Sequence, residues 1–405
     1  MKILWLGPAF LHPTNRGGQI RTLEMLRRLR QRHEIHYLAA HDLAPEALER
    51  SSEFCSKAWP VRYNLAPRSS PRFWLQSIGA MFSKLPITVA RKRSTAVRLA
   101  AIELLQRERF DVVVCDFLTP TVNLPPGQPY VLFEHNVETV IWRRYAEQAR
   151  DPIRRSFFRS QSHRLQAYET SVCLRATHVI TVSDADTELL REMCGVSHVS
   201  SVPTGVDAAY FSPPSIPEAK PACDLLFTGS MDWMPNIDGA LWFVKDVLPS
   251  IRQRCPRCSF TIAGRRPPAA IRKLASIDPL IRVTGTVEDV RPYLWAGRVS
   301  IVPLRVGSGT RLKIFESMAA GIPVVSTTIG AEGLNVSPPE NIRLADAPGD
   351  FAGACLELLE DRQMHDNQAI AAARLVSEKF SWEIAAARFE EILEKCVDNN
   401  RARMT

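Results

Sequence analysis

Short β-branched runs alternate with longer amphipathic stretches over the whole chain. MKILWLG (1–7) reads as a buried strand. Gly17-Gly18 opens a helix running to about Arg32, with Ile20, Leu23, Leu26 and Leu29 on one face. IHYLA (35–39), DVVVCDF (111–117), YVLFEHN (130–136), HVITVS (178–183) and VSSVP (199–203) read as further strands. One long polar helix is predicted over about 140–175, and another from Asp184. Residues 40–92 are less regular.

Residues 205–222, GVDAAYFSPPSIPEAKPA, carry four prolines and read as a linker. A second series follows: DLLFTGS (224–230), SFTIAG (259–264), IRVTG (281–285), VSIVPL (299–304) and PVVST (323–327), with helices between. The same alternation on both sides of one break predicts two α/β domains, each a doubly wound, Rossmann-like parallel sheet. Ligands of such sheets sit at the carboxyl ends of the strands. Two such domains facing each other make a cleft, the expected place for a substrate. The sequence shows no repeat and no low-complexity tract.

Composition narrows the class. The 405 residues are 45% apolar and 23% charged, ordinary globular usage that excludes whole-chain disorder. No run approaches the roughly 20 apolar residues of a bilayer helix. The N-terminus lacks the apolar core of a secretory signal and is read as the first strand of a cytoplasmic protein. Nine scattered cysteines point to reduced thiols. Cys255 and Cys258 form the one CxxC, read as two thiols beside a helix end rather than a zinc site. Residues 1–205 hold 28 Lys+Arg against 19 Asp+Glu, and residues 206–405 hold 23 against 24. The basic first half suits an anionic surface, a lipid headgroup or a nucleic acid, or simply solvated Arg-rich helices. No nucleic-acid module is recognised, so that partner is not expected. Residues 70–93 set Phe73, Trp74, Ile78, Met81 and Phe82 beside Arg72, Lys84, Arg91, Lys92 and Arg93. That mixture suits contact with an anionic membrane, or a core-packing helix with a charged end.

The chemistry concentrates in 299–333, VSIVPLRVGSGTRLKIFESMAAGIPVVSTTIGAEG. It reads strand, glycine-rich turn, helix, Gly stop, Pro, strand. Gly307 and Gly309 let backbone approach a ligand. Thr310 is a candidate helix cap, and Gly321 with Pro323 ends the helix. Free N–H groups at such a helix start attract anions. Lys313 and Glu316 lie on one helix face. A cation at the turn and a carboxylate one turn later suit a nucleotide's diphosphate and ribose; a surface Lys–Glu pair is the plainer alternative.

Residues 307–313 and 316–325 resemble the donor-binding motif of family-4 (group 1) retaining glycosyltransferases, which have the GT-B fold. Gly17-Gly18, Glu134-His135-Asn136, Thr181-Val182-Ser183, Val202 to Asp207, Phe227 to Ser230, Ile262-Ala263-Gly264 and Val283-Thr284-Gly285 follow in the family's order. The resemblance implies an acceptor domain (1–205) completed by a C-terminal helix (about 382–405), and a donor domain (206–381). Trp382 would mark the crossing, and the tail 397–405 is expected to fray. It implies sugar transfer from a nucleotide-sugar to a glycan or lipid-linked hydroxyl acceptor, with retention and without metal or other cofactor.

By resemblance, Glu316 holds the ribose, while the Gly307–Thr310 backbone (Gly307, Ser308, Gly309, Thr310) with Arg311 or Lys313 holds the diphosphate. Gly17 and Gly18 let the first turn approach the phosphates. His135 hydrogen-bonds near the reaction centre, and His12 could reach the cleft. Gly229 and Ser230 open the donor domain, and Gly264 and Arg265 border the base. Two departures stand out. Ser308 replaces the usual carboxylate, which excludes a nucleophile there, and Gly229-Ser230-Met231-Asp232 lacks the expected Arg and Lys. Asp184-Ala185-Asp186 spells the metal motif of a different glycosyltransferase fold, but at a helix start Asp184 reads better as a cap. The alternatives are a non-catalytic sugar-binding or scaffold protein, or another enzyme of this fold such as an epimerase.

Overall fold

A computed structural model describes residues 1–14, 17–41, 45–62, 83–149, 151–214, 223–306 and 311–404. The chain divides into two units, Met1–Pro203 with Glu383–Thr405, and Thr204–Trp382.

In the first unit the apolar runs form strands β1 (Lys2–Gly7), β2 (Glu34–His41), β3 (Lys57–Arg62), β4 (Val112–Asp116), β5 (Val131–Phe133), β6 (His178–Thr181) and β7 (Val199–Ser201). Among the described residues they make one seven-stranded sheet, ordered β3-β2-β1-β4-β5-β6-β7, with every pairing parallel. A parallel sheet is covered on both faces, so its central strands are apolar throughout. Ile3 to Leu6 and all of β4 are buried accordingly. The crossovers carry α1 (Gly17–Leu29), α2 (Thr95–Arg107), α3 (Glu138–Gln148), α4 (Pro152–Arg175) and α5 (Asp184–Cys194). The terminal helix (Trp382–Met404) anchors through Phe389, which packs 5.6 Å from Trp5 and 5.0 Å from Phe133, ring to ring.

The second unit repeats the plan with β8 (Cys223–Thr228), β9 (Phe260–Ala263), β10 (Ile281–Val283), β11 (Gly297–Val302), β12 (Val324–Ser326) and β13 (Arg343–Leu344), in the order β10-β9-β8-β11-β12-β13. Its helices include α6 (Met234–Trp242), α7 (Leu312–Ala319), α8 (Pro348–Glu360) and α9 (Arg362–Lys379). Phe227, Phe243, Phe260, Phe315 and Phe351 fill its core.

Several expectations change. The long helix over 140–175 is two helices, because Pro152 lacks an N–H and Asp151 caps α4 by accepting the Arg154 N–H at 2.7 Å. The irregular region contains β3, whose Pro60 is tolerated because the strand lies at the sheet edge. The cap of α5 is Ser183, not Asp184: its Oγ accepts the Asp186 N–H at 3.1 Å and donates to Asp186 Oδ2 at 2.7 Å. Asp184 instead accepts from the Ser201 hydroxyl. The tail does not fray at 397. It stays helical to Met404, with Arg401 donating to Asp111 at 3.0 Å. Part of the predicted linker belongs to the second unit, where Val206 enters the core and donates its N–H to the Phe380 carbonyl at 2.9 Å.

Candidate active site

In the second unit, β8 and β9 end where α7 passes. Gly264 sits so close to β8 that an added Cβ would lie 1.7 Å from the Gly229 carbonyl oxygen. Gly229, at φ +154°, has the Lys313 ammonium 2.6 Å from where its own Cβ would stand. Gly264 thus packs on the Gly229 backbone, and Gly229 brings bare backbone against that cation. Lys313 Nζ donates to Asn236 Oδ1 at 2.8 Å and lies 4.4 Å above the Phe227 ring. Asn236 is fixed in turn by donating to the Ser230 carbonyl at 2.9 Å. Arg265 donates to Ser230 Oγ at 2.5 Å and pairs with Asp232 at 3.1 Å.

Electrostatics single out α7. Burial, aided by the Arg311 cation, pushes the Lys313 ammonium down to about 7. Burial pushes the Glu316 carboxyl up to about 7, opposed only by Lys313. Among the described residues the Glu316 carboxylate accepts no hydrogen bond and makes no ion pair within 4 Å. Arg311 is buried, with its guanidinium carbon 5.6 Å from the Trp233 ring. It holds the cap position of α7 without a side-chain cap bond, so the cap expected of Thr310 falls one residue before the observed one. Gly307, Ser308, Gly309 and Thr310 lie outside the described residues.

In the first unit the ends of β4 and β5 hold a second cluster. His135 Nε2 donates to Asp116 Oδ1 at 2.6 Å, and the other carboxylate oxygen accepts from Thr22 at 2.8 Å. Arg21 donates to His135 Nδ1 at 3.3 Å. An arginine can only donate, so Nδ1 is the acceptor and the proton sits on Nε2. Burial pushes the imidazole down despite Asp116, which keeps it neutral. Its ring stacks on Phe117 at 3.8 Å. Phe117 has φ +72°, a conformation rare for a bulky residue. A Cβ on Gly18 would lie 2.4 Å from the Phe117 ring, so that glycine is needed for packing. Gly17 is exposed at the helix start. Both ring nitrogens of His135 are thus engaged by protein groups.

The rest of the Glu134-His135-Asn136 triplet divides. Glu134 is buried, with Oε2 lacking a hydrogen-bond partner, and burial beside Glu169 and Glu138 raises its carboxyl. Glu169 accepts the Glu138 and Thr139 N–H groups at 2.8 and 3.2 Å, capping α3 from a neighbouring helix. His12 packs 3.4 Å from Glu53. Glu34, His36 and Glu108 also converge, a grouping the sequence did not suggest. Lys2 fills it, 2.5 Å from Glu108 and 3.7 Å from Glu34.

Residues 15–210 match the Glycosyltransferase Family 4 profile, and residues 222–361 match that of glycosyl transferases group 1. The chain belongs to the family-4, group 1 glycosyltransferases of the GT-B fold. Among solved structures it is similar to sucrose-phosphate synthase from Thermosynechococcus elongatus, with TM-score 0.72, 17% identity, and 98% of this chain and 99% of that one covered. Anabaena Alr3699/HepE in complex with UDP-glucose gives TM-score 0.67 at 14% identity, covering 98% and 100%. WaaG, a glycosyltransferase involved in lipopolysaccharide biosynthesis, gives 0.67 at 12%, covering 96% and 99%. An uncharacterized 44.6 kDa protein in a cps region of Klebsiella pneumoniae is 28% identical over 137 residues, 32% of this chain; the match spans 35% of that relative's length.

In this glycosyltransferase, sequence reasoning overlooked Asn236, Asp116, Arg21, Thr22 and Phe117. Asp116 closes a β-branched strand, and Arg21 lies on the buried side of α1. A charge at a strand end or on an otherwise apolar helix face was the available signal.

Proposed function

We propose that the chain moves a glycosyl group from a nucleoside diphosphate-sugar to a hydroxyl acceptor, with retention of configuration and without a metal ion. The observation carrying this reading is the α7 pair: an ammonium held against glycine backbone, and one turn later a carboxylate that has no hydrogen-bond partner among the described residues. Glu316 accepts the ribose hydroxyls. Lys313, Arg311 and the 307–310 backbone hold the diphosphate, where charge-assisted bonds are strong. Gly264 and Arg265 border the base. As the bond from the anomeric carbon to the diphosphate oxygen breaks, negative charge grows on the leaving group, and these cations stabilise it. The acceptor oxygen bonds to the same face of the anomeric carbon, and its proton passes to the leaving phosphate. Ser308 offers no carboxylate for a covalent intermediate, which favours this front-face course. In the first unit, His135 acts by holding Arg21 and Asp116 in place, and Gly17 leaves the start of α1 bare for approach to the phosphates.

A relative in a cps region and a fold neighbour in lipopolysaccharide biosynthesis support a glycan or lipid-linked acceptor. Among the described residues no helix is long and apolar enough to cross a membrane. Residues 70–82 of the predicted membrane segment lie outside the described residues. A peripheral contact is supported elsewhere: Ile153, 81% exposed, opens α4 beside exposed Arg154, Arg155 and Arg159. Flotation with anionic vesicles at low salt tests it, and absence of binding rejects it.

A thermal-shift panel of nucleoside diphosphates and nucleotide-sugars tests the donor site, since stabilisation follows occupancy. Stabilisation by one nucleotide class is expected, followed by transfer that survives a chelator and gives a product of unchanged anomeric configuration. No stabilisation rejects the donor site, an inverted product rejects the front-face course, and binding without transfer favours the scaffold alternative.

A further inference from the structure

The first unit carries a groove of about 850 Å³ away from the cluster at Asp116 and His135. It is lined from α2 by Arg98, from the crossover 121–130, from α4 by Tyr168 and Arg175, and from the loop before β7 by Ser197 and His198. Tyr130, Thr177 and His198 stand at the amino ends of β5, β6 and β7, whereas Asp116 and His135 lie at the carboxyl ends of β4 and β5. Tyr130 and His135 are five residues apart through β5, so roughly 16 Å of extended chain separates them.

Counting donors shows what the groove can bind. Tyr130 gives its hydroxyl proton to the Val172 carbonyl at 2.8 Å. Thr121 gives its own to the Leu118 carbonyl, so the Tyr168 hydroxyl must donate to Thr121 at 2.9 Å. His198 Nε2 donates to the Cys173 carbonyl at 3.0 Å, and Gln128 Nε2 to the Pro129 carbonyl at 2.9 Å. Pro125, Pro126 and Pro129 on the rim have no N–H. The strong donors left over are two guanidinium groups. Arg98 makes no side-chain hydrogen bond or ion pair among the described residues, and Arg175 uses only Nε, on the Ser171 carbonyl at 3.0 Å. No Asp or Glu lines the groove. Two uncompensated cations, with the neutral donors mostly engaged, select for negative charge. The volume falls within the roughly 300–1,000 Å³ of small-molecule sites, and Val122 and Leu124 give it apolar walls.

We propose that this groove binds a small anionic ligand, its phosphate or carboxylate bridging Arg98 and Arg175. The site is separate from the donor site and does not depend on the transferase reading.

The test is calorimetric titration of the full chain, with UDP present, against inorganic phosphate, glucose 1-phosphate and a glucuronate-containing disaccharide. At least one probe is expected to bind with one-to-one stoichiometry, and the preferred probe tells a phosphate-bearing ligand from a carboxylate-bearing one. The Arg98→Ala/Arg175→Ala double variant is expected to weaken that binding at least roughly tenfold, the loss of charge-assisted bonds. Ser197→Trp, which fills the rim and keeps both cations, is expected to weaken it as well. Thermal melting checks that both variants are folded. No binding of any probe at about 10 mM, a concentration that would mostly fill even a site with a Kd of about 1 mM, overturns the proposal. So does binding that the double variant leaves unchanged. A failure of UDP itself to bind counts against the donor site alone.

Discussion

The ends of β4 and β5 in the first unit and of β8 and β9 in the second are built from the same parts: a close-packed glycine, a cation, a carboxylate and an aromatic ring. They use them in opposite ways. Around His135 the polar side chains bond one another: Asp116 is bonded through both oxygens, and each ring nitrogen has a partner. Around α7 the charges are left short. Among the described residues Lys313 bonds one amide oxygen and Glu316 bonds nothing, and burial drives both toward neutrality. A bonded network rigidifies; half-buried groups that are under-bonded gain most when a ligand of complementary charge arrives. On the proposed function, the first cluster positions and the second captures ligand.

Removing Lys313 breaks the contrast most sharply. Lys313→Met should cut kcat/KM by about 100-fold, the usual effect of losing a donor to developing negative charge, with circular dichroism unchanged. A wild-type rate would move the diphosphate elsewhere. Asp116→Ala attacks the other cluster. It leaves the buried His135 N–H and Thr22 hydroxyl unpaired and should cost about 2–3 kcal/mol of stability in denaturant melts. Nucleotide affinity per folded molecule should stay nearly unchanged.

The pH dependence of donor affinity sharpens the comparison further. A nucleotide-sugar diphosphate favours protonated Lys313 and raises its low value, so binding takes up a proton and weakens as pH rises above about 7. Ribose hydroxyls favour ionised Glu316 and lower its high value, so binding also weakens as pH falls below about 7. Titration with UDP-glucose should show a maximum near 7. Lys313→Met should remove the alkaline limb and Glu316→Gln the acid limb. A flat profile would place both groups away from the ligand. The smallest effect belongs outside both clusters. Ser183→Ala removes the α5 cap and should cost about 1 kcal/mol in melts, leaving the pH profile untouched.

Much of this was readable beforehand. The strand runs follow from period and spacing, and the spacing of Lys313 and Glu316 put them on one face of α7. The helix break at Asp151-Pro152 was legible too, since an Asp before a Pro is a start signal, but the polar run around it hid the break. β3 escaped because Lys57–Arg62 is half exposed and holds a proline, so it lacks the apolar signature of the inner strands. The tail's order was not legible, because it depends in part on Arg401 meeting Asp111, 290 residues away. The tautomer of His135 was not legible for the same reason: it depends on Arg21 and Asp116, which the sequence does not bring near.

Two wound sheets, their strand ends and the charged face of α7 were written in the linear pattern, because hydrophobic period and helical spacing act within a few residues. Which charges are already bonded and which stand open was decided only when strand order set Thr22 beside Asp116 and Asn236 beside Lys313. Those partners lie 94 and 77 residues apart, and a hydrogen bond over such a separation exists only once the sheet has fixed its neighbours.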